Sequence, residues 1–88
     1  MVVYCMKNGR DTRRVGYTVS TKLGKAVTRN KIRRRLREIY RLNSPKLVSG
    51  VDIVIVARAR CVGAEYSRME KAFIRACGEL KLIKEDAE

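Results

Sequence analysis

The sequence predicts an α+β fold, a two-layer sandwich in which one small sheet packs against helices. Three observations carry this. Short β-branched and aromatic runs, "VVYC" and "RVGYTVS", open the chain, two longer segments space their apolar residues as helices do, and a strand-length apolar run, "DIVIVA", lies between those segments. The order strand, strand, helix, strand, helix suits one sheet with helices laid on it.

Each element has its own local reason. "VVYC" is β-prone, and "KNGRD" after it is a turn by its Asn-Gly pair. In "RRVGYTVS", Arg13 to Ser20, Val15, Tyr17 and Val19 alternate with Gly16, Thr18 and Ser20, which reads as a half-buried strand joined to the first as a hairpin. Gly16 marks a place where a neighbouring backbone or helix comes close. "TKLGKAVT" breaks the period, with Gly24 in the loop. From about Ala26, Ile32, Leu36, Ile39 and Tyr40 share a helical face, with Thr28 as a cap or Ala26 and Val27 as the first turn, and "NSP" ends the helix near Asn43. "GVDIVIVARA", Gly50 to Ala59, is apolar on both alternating sets, as a central strand covered on two faces would be. A second helix is expected from about Glu65 to Lys84, with Met69, Phe73, Ala76, Leu80 and Ile83 on one stripe and Gly78 weakening its last turns.

Eighty-eight residues suffice for a single domain, 1–88. The net charge is +12, and residues 10–41 hold twelve basic and two acidic side chains, +10 of that total, while residues 85–88 are mostly acidic. Such a field favours an anionic polymer as partner. Nucleic acid fits better than a membrane surface, since the basic segment has no Trp or Phe anchor. No transmembrane run or signal peptide is apparent, and the expected compartment is the cytoplasm. With no His, and with Cys5, Cys61 and Cys77 odd in number and far apart, neither a zinc site nor His-dependent catalysis is expected, and the thiols read as reduced. The acidic residues are too dispersed for a two-metal carboxylate clamp, so no catalytic residue is assigned.

The charge is densest in "AVTRNKIRRRLREIYR", residues 26–41. If Ile32, Leu36, Ile39 and Tyr40 face the sheet, Arg29, Arg33 and Arg37 form a row one turn apart, flanked by Asn30, Arg34 and Arg41. A turn of about 5.4 Å is close to the spacing of phosphates along a strand. Like charges at this spacing repel, and Glu38 is the one internal counter-charge. A merely solvated face is the plain alternative. Asn30 suits an anion site near the helix start, where its amide both donates and accepts; the alternative is a local cap.

"RVGYTVSTKLGKAVTRNKIRRRLREIYR", Arg14 to Arg41, resembles the segment that defines the bacterial ribonuclease P protein subunit family, a strand of the type VGxxVSKKxGxAV followed by RNxxKRxxRE. Val15, Gly16, Val19, Ser20, Lys22, Gly24, Ala26, Val27, Arg29, Asn30, Arg34, Arg37 and Glu38 match, and Arg33 stands where Lys is usual. "DIVIVAR" and the helix after "EYSRMEKAF" extend the likeness over the chain. The resemblance implies an accessory subunit of a catalytic RNA that removes the 5′ leader of precursor tRNA, the RNA and its Mg²⁺ doing the chemistry and this chain binding no cofactor. It implies that Arg29, Asn30, Lys31, Arg33, Arg34, Arg37, Lys22 and Lys25 bind the RNA subunit, that Val2, Tyr4 and Tyr17 line the leader cleft, and that the fold is of a ribosomal-protein type. It also implies a left-handed β-α-β crossover, against the general right-handed rule. Tyr4 has its own physical case as a stacking platform, with sheet packing as the alternative. The other function class weighed is a non-catalytic binder of ribosomal RNA. The family pattern carries a basic loop and a Phe-bearing helix ahead of the first strand; none stands ahead of "VVYC", whether through a late start, a fragment or a loss. The expected consequence is an uncovered sheet face at Val2 and Tyr4 and marginal stability.

Overall fold

Three strands form a single sheet with two helices on one side: β1 (Val2–Lys7), β2 (Arg14–Thr18), α1 (Ala26–Asn43), β3 (Val51–Val56) and α2 (Tyr66–Glu79). The computed structural model describes residues 1–84, so the acidic residues 85–88 lie outside the described part. The α+β two-layer architecture is the one expected. Its core joins Val3 of β1, Ile53 and Ile55 of β3, Ile32, Leu36 and Ile39 of α1, and Met69, Phe73 and Cys77 of α2, all buried.

The strand order is β1-β3-β2, which corrects the hairpin. β1 pairs antiparallel and β2 parallel with β3, so the two N-terminal strands flank the third and do not touch. The Asn-Gly turn does form, with Gly9 at φ 66° and the Arg10 N–H donating to Asn8 Oδ1 at 2.8 Å. It opens a connection, residues 8–13, that crosses over the start of β3. The Asn8 N–H donates to Gly50 O and the Gly50 N–H to Thr12 O, stitching the loop to the start of β3. The most apolar strand takes the centre because only there are both its backbone edges paired without water.

β3 is covered on one face only, a second correction. Ile53 and Ile55 are 1% and 0% exposed, whereas Val54 between them is 40% exposed. β3 is also shorter than Gly50–Ala59, because Ala59–Cys61 coil into a short 3-10 turn.

α1 begins at Ala26, its capping position held by Lys25, with Thr28 inside the helix and not capping it. α2 stops at Glu79, five residues short of Lys84. Lys81 adopts a left-handed conformation at φ 58°, its N–H bonds Gly78 O, and the Leu82 N–H bonds Cys77 O, the paired bonds of a Schellman end. Glycine usually fills the left-handed position; here Lys does, and Gly78 lies three residues earlier. The buried stripe is accordingly Met69, Phe73 and Cys77, with Leu80 39% exposed and Leu82 turned into the core. Past the helix, Leu47 and Ile83 form a single antiparallel bridge.

Candidate nucleic-acid interface

The route into α1 is set by small local bonds. Ser20 Oγ accepts the Lys22 N–H at 3.2 Å and caps a 3-10 turn at Thr21–Leu23. Gly24 follows at φ 135°, where any Cβ would press on Thr28 at 3.2 Å. Lys22 and Lys25 are thereby left exposed on either side of that turn, just before the helix.

At about 100° per residue, burial of Ile32, Leu36 and Ile39 divides the basic residues of α1 between two flanks. One flank carries Arg29, Arg33, Arg34, Arg37 and Arg41, with Asn30 among them, the other Lys31 and Arg35. Some charges already have work within the protein. Arg35 Nη1 donates to Ala64 O at 2.8 Å, Arg29 Nε to Gly24 O at 3.2 Å, and Arg41 holds Glu38 through bonds of 2.6 and 3.2 Å. That last pair holds the Glu38 carboxyl below its ordinary value and neutralises the one acid of the helix. Among the described residues the side chains of Asn30, Lys31, Arg33, Arg34 and Arg37, and of Lys22 and Lys25, take part in no hydrogen bond or ion pair. Asn30 is the fifth residue of α1, one past its first turn, and caps nothing.

Arg13 and Arg14 belong to the same basic cluster by sequence and do different things. Arg13 is half-buried: Nε donates to Tyr40 Oη at 2.8 Å, Nη1 to Leu47 O at 3.0 Å and Val48 O at 2.8 Å, and Nη2 to Ser44 O at 2.8 Å. Its guanidinium also lies 5.6 Å from the centre of the Tyr40 ring. It braces the C-terminal end of α1 against the start of β2, where free helix carbonyls need donors. Nothing in the local sequence distinguishes it from its solvent-facing neighbours.

The uncovered sheet face is a second candidate surface. Cross-strand register sets three rows on it: Val2–Val56–Thr18, Tyr4–Val54–Gly16 and Met6–Asp52–Arg14. Tyr4 is 53% and Met6 72% exposed. The last row ends the apolar area with an ion pair, Arg14 donating to Asp52 at 2.7 and 3.1 Å, and Asn8 Nδ2 donating to the same carboxylate at 2.9 Å. The bond from Arg14, then that from Asn8, holds the Asp52 carboxyl down to about 2.

Val2 and Tyr4 thus share this face, and Tyr17 does not join them. Tyr17 is paired with buried Ile55 and sits on the helix-covered side, near Tyr40 and Arg37, its phenol pushed up chiefly by burial. A strand alternates its faces, so Tyr17 could join Tyr4 only if β2 slipped by one residue.

Of the three thiols, Cys61 and Cys77 are buried and Cys5 is exposed. Burial pushes the Cys77 thiol up to about 11. Among the described residues, no group of His, Cys, Asp or Glu is placed to hold a metal ion, and no helix is long and apolar enough to cross a membrane.

A row of cations with no partner among the described residues on one side of a sheet, and an apolar, aromatic face on the other, suits RNA more than any small substrate. Comparison with known proteins agrees. The Ribonuclease P family model matches residues 1–81. The Ribonuclease P protein component of Alkaliphilus oremlandii is 43% identical over 83 residues, spanning 94% of this chain and 73% of that one. Its counterpart from Natranaerobius thermophilus is 37% identical over 86 residues, spanning 98% and 75%. Among solved structures, the RNase P protein of Staphylococcus aureus superposes with a TM-score of 0.82 at 30% identity, covering 93% of this chain and 75% of that one. The RNase P protein of Thermotoga maritima does so at 0.76 and 34% identity, covering 83% and 70%. The chain belongs to the ribonuclease P protein component family, the accessory protein subunit of an RNA-based endoribonuclease.

Proposed function

We propose that the two surfaces divide the RNA partners between them. The free flank of α1, with Arg33, Arg34, Arg37 and Asn30, together with Arg29, Lys31, Lys22 and Lys25, binds the RNA subunit. The uncovered sheet face, through Val2 and Tyr4, binds the unpaired 5′ leader of precursor tRNA. The chemistry then belongs to the RNA and its Mg²⁺, and this chain contributes affinity and placement in the cytoplasm, where its thiols stay reduced. The observation that carries this reading is that Arg33, Arg34 and Arg37 hold like charges side by side with no counter-ion among the described residues, at a cost in helix stability that a polyanion would relieve. Tyr4 adds a second support, since a half-exposed aromatic on an open sheet can stack on an unpaired base.

The test uses the reconstituted holoenzyme. Arg34→Ala and Arg37→Ala should each weaken RNA-subunit binding by about 1 to 3 kcal/mol and reduce the salt slope by about one unit. Tyr4→Ala should weaken precursor tRNA binding and leave mature tRNA unchanged, because only the precursor carries the unpaired strand. Unaltered affinity and slope in both Arg variants would overturn the assignment of α1. Equal loss for precursor and mature tRNA would make Tyr4 a packing residue.

A further inference from the structure

Gly16 lies in the middle of β2, an edge strand, where glycine weakens the strand by leaving its backbone free in the unfolded chain and offering nothing to pack. A fold keeps glycine in such a place for one of two reasons: a positive φ, or a neighbour too close for a Cβ. Neither applies. Positive φ occurs at Gly9, Gly24, Gly50 and Gly63 and not at Gly16. A Cβ at Gly16 would meet nothing within 4 Å, whereas at Gly50 it would lie 3.2 Å from Arg10 O. The close neighbour expected from the sequence is therefore not within the described chain. Val15 and Tyr17 pair with buried Ile53 and Ile55, so the missing side chain of Gly16 would stand on the open face, beside Val54 and in one row with Tyr4.

That row runs from a phenol ring across an apolar side chain to bare backbone. Strands lie about 4.8 Å apart, so its ends are about 10 Å from each other, within the length of one nucleotide laid across the sheet. Arg14, two residues before Gly16 on the same face, has a side chain 62% exposed. Its Nε and Nη2 are held by Asp52, and Nη1 keeps its N–H donors for another acceptor.

We propose that Gly16 is a specificity-determining residue, the point at which the ribose–phosphate backbone of the single-stranded leader comes down on the sheet, its base lying toward Tyr4 and its phosphate within reach of Arg14. This rests on the reading that the open face holds the leader. A side chain here fills the gap and lifts the strand off Tyr4 without touching the protein.

Gly16→Ala and Gly16→Val, tested in the holoenzyme, should melt no lower than the parent and bind the RNA subunit unchanged. Precursor tRNA affinity should fall by about threefold for Ala and about tenfold for Val, a difference of about 1.4 kcal/mol in the second case, with mature tRNA unaffected. Unchanged precursor affinity in Gly16→Val, while Tyr4→Ala measured alongside weakens it, overturns the role of Gly16 alone. If neither variant alters precursor binding, the leader reading fails and this inference with it. A lower melting temperature for Gly16→Val would also overturn it, by showing that protein fills the gap.

Discussion

Arg13→Ala should cost more stability than removal of any arginine from the exposed flank of α1. The side chain makes four hydrogen bonds, to Tyr40 Oη and to the carbonyls of Ser44, Leu47 and Val48. Charge-assisted bonds contribute about 1.5 to 3 kcal/mol each when fully buried. This guanidinium is partly solvated and water recovers some of the loss, so about 3 kcal/mol in all is expected, a large share of the roughly 5 to 15 kcal/mol that holds a small domain folded. At about 4 to 8 °C per kcal/mol for a chain of this size, Tm should fall by roughly 12 to 24 °C. Urea unfolding followed by circular dichroism measures this directly. RNA-subunit binding, measured below the new midpoint, provides the contrast: because Arg13 holds carbonyls and not phosphates, its loss should leave the salt slope unchanged. Arg13→Lys should recover little, since one ammonium cannot span the same acceptors. A near-normal Tm together with a slope shallower by about one unit would refute the brace and make Arg13 a phosphate ligand.

Three further outcomes follow from single sites. Asp52 has a folded value of about 2 against an ordinary 3.8, so its contribution to stability is complete above the ordinary value and is lost as pH falls from there toward 2; Asp52→Asn should flatten that part of an acid-unfolding curve. Asn43 is 4% exposed, and its Nδ2 donates to Ile39 O at 2.8 Å and Glu70 Oε2 at 3.1 Å, so Asn43→Ala should cost about 1 to 3 kcal/mol in thermal or urea unfolding. Asn43→Asp, the same shape with two carboxylates facing, should cost more than Asn43→Ala. Iodoacetamide at mildly alkaline pH should label Cys5 in the folded protein and reach Cys61 and Cys77 only in denaturant, as mass spectrometry would show; early labelling of Cys77 would contradict its buried position.

By itself the sequence determined the fold class, the existence of both helices and the identity of the basic one. These are local properties: Ile32, Leu36 and Ile39 recur at a helical period, so they select both the helix and the face that carries its cations. The family motif was legible for the same reason, being a continuous run from Arg14 to Arg41. Tertiary structure decided everything that depends on which segments meet. The insertion of β3 between β1 and β2 is a pairing over dozens of residues that no turn signal encodes, and an Asn-Gly loop serves a hairpin and a skipped strand alike. Coverage of a sheet face is likewise non-local, so an apolar run with both sides rich in Val and Ile did not reveal that Val54 faces outward. The family resemblance implies one cleft for Tyr4 and Tyr17, and the strand register puts them on opposite faces of the sheet. Arg13 and Arg37 are the same residue type in the same charged cluster, and only the position of the α1 terminus beside β2 turns one inward to four acceptors and leaves the other facing solvent.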